Sequence, residues 1–287
     1  MSDLANITPV DYLIIGHITQ DLTPQGPALG GTASYAALTA KAIGQRVGIV
    51  TSCRADLNLD LFKGISIVRK NSEQNSTFVN TYLPEGRVQH VKGVADVITL
   101  DDIPAAWLET PIVHLGPIAN EISPEVAAAF PDAMLGVTPQ GWLRTWNNDG
   151  LVSFCKWPNA EEVLRHADAA VMSIEDVRGD EEVVAEFASL LSVLVVTEGA
   201  SGARIYWNGD QRTIRPPLEK EIDPVGAGDI FATSFFIRYQ STRDPWEAAR
   251  FATLLAANSV TRPTLAGVPT RDEVNRFMTE VLETKTL

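Results

Sequence analysis

The chain has 287 residues, 36 of them acidic and 23 basic, which leaves a formal net charge of −13 with the histidines neutral. Apolar residues make up 45% and charged residues only 21%, a balance that excludes intrinsic disorder and supplies a sizeable core. The acidic excess excludes a general grip on nucleic acid or anionic lipid, because both require a basic surface. Any phosphate must then be held by local devices. Cys53 and Cys155 are the only cysteines and lie outside CxxC spacing, so neither a disulfide framework nor a cysteine zinc site is indicated. Met1 to Val10 lacks the basic patch and apolar stretch of a signal peptide, and a cytoplasmic location is expected. The longest apolar run, near Leu190 to Val196, is strand-sized and far short of the roughly 18 residues that span a bilayer. Without a secretory route, the acceptor-like tripeptides at Asn6 and Asn75 have no use.

In chain order, Tyr12 to Gly16 (YLIIG) is a short apolar run ending in glycine, the pattern of a buried parallel strand. Gly31 to Ile43 is alanine-rich and predicts a helix, with Gly44 placed as its stop. Further strand-sized runs lie at Val47 to Thr51, Ile112 to Leu115, Met134 to Val137, Ala169 to Met172 and Val193 to Thr197. Helix-like segments fall between several of them, at Glu161 to His166 and Glu181 to Leu191, and three more follow residue 226. This alternation predicts a parallel sheet covered by helices on both faces. Ser76 to Lys92 departs from it. Two period-two stretches flank Pro84-Glu85-Gly86, which predicts a hairpin projecting from the main sheet, either as a small β lid or as a surface arm.

Several familiar sites are absent from the sequence: there is no Gly-Lys phosphate loop, no HExxH, no GxSxG elbow and no GxGxxG loop. His17, His90, His114 and His166 are scattered and read as structural. The informative stretch is Ile222 to Tyr239 (IDPVGAGDIFATSFFIRY), a proline and glycine turn running into a helix-competent segment. Pro224 is expected to end a strand and stiffen the turn. Gly226, Ala227 and Gly228 place nearly side-chain-free amides at a helix N-terminus, where free N–H groups and the helix dipole attract an anion. Asp229 follows in the first turn. A carboxylate beside an anion hole makes chemical sense as a base taking the proton of a hydroxyl that attacks phosphorus; otherwise it is a helix-start acid beside an ordinary turn.

DPVGAGD at Asp223 to Asp229 resembles the DTxGAGD signature of the PfkB, or ribokinase-like, family of carbohydrate kinases. Leu29-Gly30-Gly31 with the helix after it resembles the family's N-terminal diglycine, Val195 to Gly202 (VVTEGASG) its TxGxxG nucleotide segment, and Ala257 to Pro269 its adenine-side stretch. Four matches in family order are far more specific than one GAGD. The resemblance implies one doubly wound, mainly parallel α/β domain over residues 1–287, with a small β lid formed by residues 76–92 and part of 16–30. It implies Asp229 as catalytic base and Gly226, Ala227 and Gly228 as the anion hole. Asp21, taken as the end of the first strand, Gly30 and Gly31 are implied to bind the sugar. Ser173, Asp176, Thr197, Gly199, Gly202 and Asn258 are implied on the nucleotide side. ATP and Mg2+ are implied as donor and metal, a monovalent cation is a further possibility, and pairing of lids into a homodimer occurs in similar kinases.

Departures from the family pattern matter equally. Its NxxE motif corresponds here to Ser173-Ile174-Glu175-Asp176, so Glu175 and Asp176 become the metal-side acids, acting through water. The asparagine usual after the diglycine is Tyr35, and Thr233 and Ser234 stand where smaller residues are common. Gln140 and Arg144 in Thr138 to Trp146 (TPQGWLRTW) follow a predicted strand, at the mouth where such sheets bind ligands; Arg144 pairs there with an anionic ligand or with a surface acid. LGG-TASY with QGxxR looks most like the inositol and related polyol kinases. A nucleoside kinase, with Tyr35, Phe78 and Tyr82 beside a base, and a catalytically weak sugar-binding regulator are the competing readings.

Overall fold

The computed structural model describes residues 7–24, 26–83 and 86–279. The Asn6 tripeptide, Pro84 and Glu85 of the hairpin turn, and the side chain of Tyr82 lie outside the described residues.

The central sheet has nine strands: β1 (Tyr12–Ile15), β4 (Val47–Cys53), β5 (Ser66–Asn71), β8 (Ile112–Leu115), β9 (Met134–Val137), β12 (Ala169–Ser173), β13 (Val193–Thr197), β14 (Ala203–Trp207) and β15 (Asp210–Ile214). Their spatial order is β15-β14-β13-β12-β9-β8-β1-β4-β5. All neighbours from β13 to β5 run parallel, and only β14 and β15 are antiparallel. Strand β1 shows why its run is uninterruptedly apolar. Alternate residues point to opposite faces, so Tyr12 and Ile14 join the core on one side, Leu13 and Ile15 that on the other, and all four are fully buried.

Helices α1 (Thr32–Ile43), α4 (Ala227–Thr242) and α5 (Pro245–Ser259) pack on the first face, with α6 (Arg271–Thr279) outside α1 and α5. The shorter α2 (Ala160–Leu164) and α3 (Glu181–Leu190) cover the other face. Helix α1 ends as its sequence predicts: Gly44 adopts the left-handed conformation (φ 106°), and its N–H bonds the Ala40 and Lys41 carbonyls. Asp180 caps α3 and Asp244 caps α5 by accepting bonds from first-turn amides.

A second sheet of four strands, in the order β3-β2-β6-β7, lies beside the main one. It combines β2 (Thr19–Thr23) and β3 (Gly26–Gly30) with the antiparallel pair β6 (Thr77–Leu83) and β7 (Gly86–Gly93). Buried Phe78 and Val91 seat it on Ile118 and Ala119. The chain crosses between the two sheets four times, and one imidazole joins three of the crossings: His17 stands in the first, its Nδ1 lies 2.7 Å from Ser76 Oγ in the third and its Nε2 3.0 Å from the Asp96 carbonyl in the fourth. A minor hairpin, β10 (Arg144–Trp146) with β11 (Val152–Phe154), follows β9.

Two expectations are corrected. Asp21 is not at the end of the first strand but inside β2, in the small sheet. Pro224 ends no strand: β15 stops at Ile214, and Pro216-Pro217 begin an irregular segment that runs to the start of α4, because proline carries no N–H for a ladder.

Candidate active site

The C-terminal ends of β9, β12 and β13, the start of α4 and the inner face of the small sheet enclose a cleft of about 520 Å³. Its position follows from topology, since parallel strands direct their C-terminal ends and the loops after them to one edge.

Gly226, Ala227, Gly228 and Asp229 all border the cleft. Gly226 caps α4 in the left-handed conformation (φ 82°), and a methyl group on its Cα would fall 2.1 Å from the Tyr35 ring. Glycine is therefore required twice over, by its backbone and by its neighbour. The Ala227 N–H is turned back onto the Pro224 carbonyl at 3.2 Å. Gly228 has open space where a side chain would stand. The amides of this turn that remain for an anion are thus those of Gly226 and Gly228. Asp229 sits in the first helical turn, half-buried.

On the side of the small sheet, Asp21 and Gly31 border the cleft, whereas Gly30 is buried behind them. A side chain at Gly30 would meet the Asp21 carboxylate at 2.5 Å, so Gly30 makes room for Asp21. Thr19, beside them, has a buried hydroxyl oxygen with no hydrogen-bond partner. Gln140 and Arg144 both border the cleft. Gln140 donates to Asp176 (2.9 Å), and Arg144, 8% exposed, donates to the Ile118 carbonyl at 3.2 Å. Arg144 is no surface residue.

On the opposite side lie Ser173, Glu175, Asp176, Thr197, Gly199 and Gly202. Thr197 donates to the Met172 carbonyl (3.3 Å). Gly202 (φ 104°) lies where a side chain would collide with the Ile214 carbonyl. Asp176 closes a capping box by accepting from the Ser173 amide, while Glu175 is exposed at the rim. Asn258 does not reach the cleft: its oxygen accepts from Arg262, and Ala256, Ala257 and Val260 border the space instead. A helix exposes different residues to a cavity at successive 100° steps, and sequence matching alone does not resolve which one faces in.

Sequence reasoning passed over Thr19, Asn80, Gln89 and Thr138, all bordering the cleft. Asn80 and Gln89 face each other across the hairpin, the Gln89 side-chain N–H donating to the Asn80 oxygen at 2.9 Å. Their signal was present in the period-two pattern, since Phe78 and Asn80 share one face of β6.

A parallel sheet with a glycine-capped helix at its mouth and a small β sheet across it defines the ribokinase-like class of α/β fold. Residues 149–271 match the pfkB family carbohydrate kinases. A solved pyrophosphate-dependent kinase of the ribokinase family, complexed with a pyrophosphate analogue and myo-inositol, is similar over 92% of this chain and 99% of its own, with a TM-score of 0.78 at 19% identity. Arabidopsis thaliana ribokinase, complexed with ribose and ATP, is similar over 96% and 100%, with a TM-score of 0.74 at 16% identity. A cytidine kinase of Thermococcus kodakarensis is 23% identical over 84% of this chain and 92% of its own length. An inositol 3-kinase of Zea mays is 33% identical over 94 residues, 32% of this chain; the alignment spans about a quarter (24%) of the maize protein. No helix among the described residues is long and apolar enough to cross a membrane.

Proposed function

We propose that the protein transfers the γ-phosphate of ATP to a hydroxyl of a sugar or polyol, with an inositol-like ring as the favoured acceptor. One observation carries this reading. A single cleft is lined by Asp229 and the Gly226 to Gly228 turn together with a carboxylate-and-amide set (Asp21, Asn80, Gln89) and with Thr197 and Gly199. Asp229 accepts the acceptor's hydroxyl proton as that oxygen attacks phosphorus, and the turn's amides with the α4 dipole stabilise charge on the transferring group. Asp21 and the hydroxyl of Thr19 bind further acceptor hydroxyls; a carboxylate accepts two such protons. The small sheet covers the cleft and excludes water, a competing acceptor.

The metal side fits magnesium held chiefly by water and phosphate oxygens. Glu175 and Asp176 border the cleft, no group of three or more potential ligands occurs among the described residues, and Mg2+ commonly takes only one or two carboxylates. Such an ion would neutralise the donor's phosphates.

A nucleoside acceptor is the second reading, favoured by the near full-length similarity to the cytidine kinase. Against it, Tyr35 and Phe78 are 3% and 1% exposed and already packed, Tyr35 on the Gly226 turn and Phe78 on Ile118 and Ala119. Neither offers an open ring face to a base. Assays with Mg-ATP and myo-inositol, ribose or cytidine discriminate the two. Asp229→Asn should lower turnover by on the order of a hundredfold or more and leave nucleotide binding intact; unchanged turnover would remove Asp229 from the role of base.

A further inference from the structure

Beneath the cleft runs a chain of buried polar groups with no part in the mechanism so far. The Tyr12 hydroxyl of β1 lies 2.7 Å from Nδ1 of His114 in β8, and Nε2 of the same ring lies 2.9 Å from Oγ1 of Thr138. Tyr12 and His114 are fully buried; Thr138, 7% exposed, follows β9 and borders the cleft. At the other end, the Tyr12 hydroxyl is 3.4 Å from the hydroxyl of Thr233, one turn beyond Asp229 in α4. Burial drives His114 down to a pKa of about 3 and Tyr12 upward, the Asp229 charge adding to the latter. Both groups are neutral.

A neutral imidazole carries one ring proton, so the chain has two settings. In one, Tyr12 donates to Nδ1, Nε2–H donates to Thr138, and the Thr138 proton is left for the cleft. In the other, Nδ1–H donates to Tyr12, whose own proton must go to Thr233, while Thr138 donates inward to Nε2. The distances separate them. The 2.7 Å contact is a good O–H···N bond, whereas 3.4 Å lies beyond the usual O–H···O range. Thr233 does not need that proton, since in the first setting its own hydroxyl can donate weakly toward the Tyr12 oxygen, the partner it faces.

We propose that Thr138 is an acceptor-binding residue that donates its hydroxyl proton to an oxygen of the sugar or polyol, and that Tyr12, acting through the Nε2–H tautomer of His114, is the positioning residue that points it there. The proposal rests on the kinase reading above and deepens it. A donor held in one direction selects an oxygen at one place on the acceptor, because an analogue lacking it would leave a buried polar group unpaired.

The test has two arms. Nitrogen-15 NMR of labelled protein at neutral pH should find His114 protonated on Nε2 and mixed tautomers in Tyr12→Phe. With Mg-ATP as donor, and myo-inositol or cytidine as acceptor, Thr138→Val should raise the acceptor KM by on the order of tenfold, with kcat and the ATP KM little changed. Thr138→Ser, which keeps the hydroxyl, should restore most of the loss, and Tyr12→Phe should raise the acceptor KM part of the way. A proton on Nδ1 in the wild type overturns the relay. An unmoved acceptor KM in Thr138→Val, with the wild type active, overturns the contact alone. A wild type that phosphorylates no alcohol overturns the kinase reading and the contact together, while the tautomer still decides the relay.

Discussion

Gly226 concentrates several demands in one residue. Its left-handed backbone lets the chain turn into α4, its lack of a side chain admits the Tyr35 ring, and its N–H is among those proposed to face an anion. Gly226→Ala should therefore cost about 1–3 kcal/mol of stability from backbone strain alone, measurable in urea titrations, and should reduce phosphoryl transfer further through the displaced Tyr35. Gly228, with open space around it, is the control: alanine there should change stability by no more than about 0.5 kcal/mol. Both glycines look alike in the GAGD string. Only packing separates them. The same holds for the paired glycines of the N-terminal segment, of which Gly31 borders the cleft and Gly30 yields its space to Asp21.

Among elements, the small sheet is the one whose placement shapes the cleft most. Its hairpin was legible as two alternating stretches about a proline and glycine turn, but its partnership with β2 and β3 was not. Those two strands are short and mostly half-exposed, and pairing between Gln20 and Thr77 joins residues far apart in the chain, beyond what periodicity can reveal. The sheet is attached through His17, Ser76 and Asp96 and seated by Phe78 and Val91. Removing Thr77 to Val91 with a short linker should raise ATP hydrolysis relative to transfer onto an alcohol, because water then reaches the cleft. An unchanged ratio would assign the sheet to binding alone. Strands β14 and β15 were unforeseen from sequence; β15 is exposed at the outer edge beside a proline-rich segment, whereas β14 alternates buried Ala203 and Ile205 with half-buried Arg204 and Tyr206 over only five residues.

For the whole molecule, stability is tied to pH through groups that fold away from their ordinary ionisation. His114 binds its proton only near pH 3 when folded, against an ordinary value of 6.5. Below pH 6.5 the unfolded chain takes up more protons, so this group's stability is present above 6.5 and is lost as pH falls toward 3, by up to about 1.4 kcal/mol per unit. Glu247, held low by Arg250 and Arg238, adds a loss of the same sign only at lower pH, below the unfolded value of 4.5. Urea titrations should show about 2 kcal/mol lost between pH 6.5 and 5. His114→Gln should be less stable at neutral pH yet nearly flat across that window; an equal slope in both proteins would contradict a buried neutral imidazole.

The excess of acidic charge excluded a basic binding surface, and the cleft is consistent with that: its anion-binding capacity is assigned to the backbone amides of the Gly226 to Gly228 turn and the α4 dipole. Every parallel strand except β5, the helices between them, the Gly44 stop and the glycine-capped start of α4 were readable from the chain, because each depends on neighbours within a few residues. Tertiary structure alone decided that Asn258 turns to Arg262, that Arg144 is buried beneath the cleft, that Thr19, Asn80, Gln89 and Thr138 join its lining, and that Tyr12 and His114 connect below it. Apart from the bond between Asn258 and Arg262, four positions apart, these depend on residues distant in the chain, 26 positions for Arg144 with Ile118 and 102 for Tyr12 with His114, which hydrophobic period and local motif do not encode.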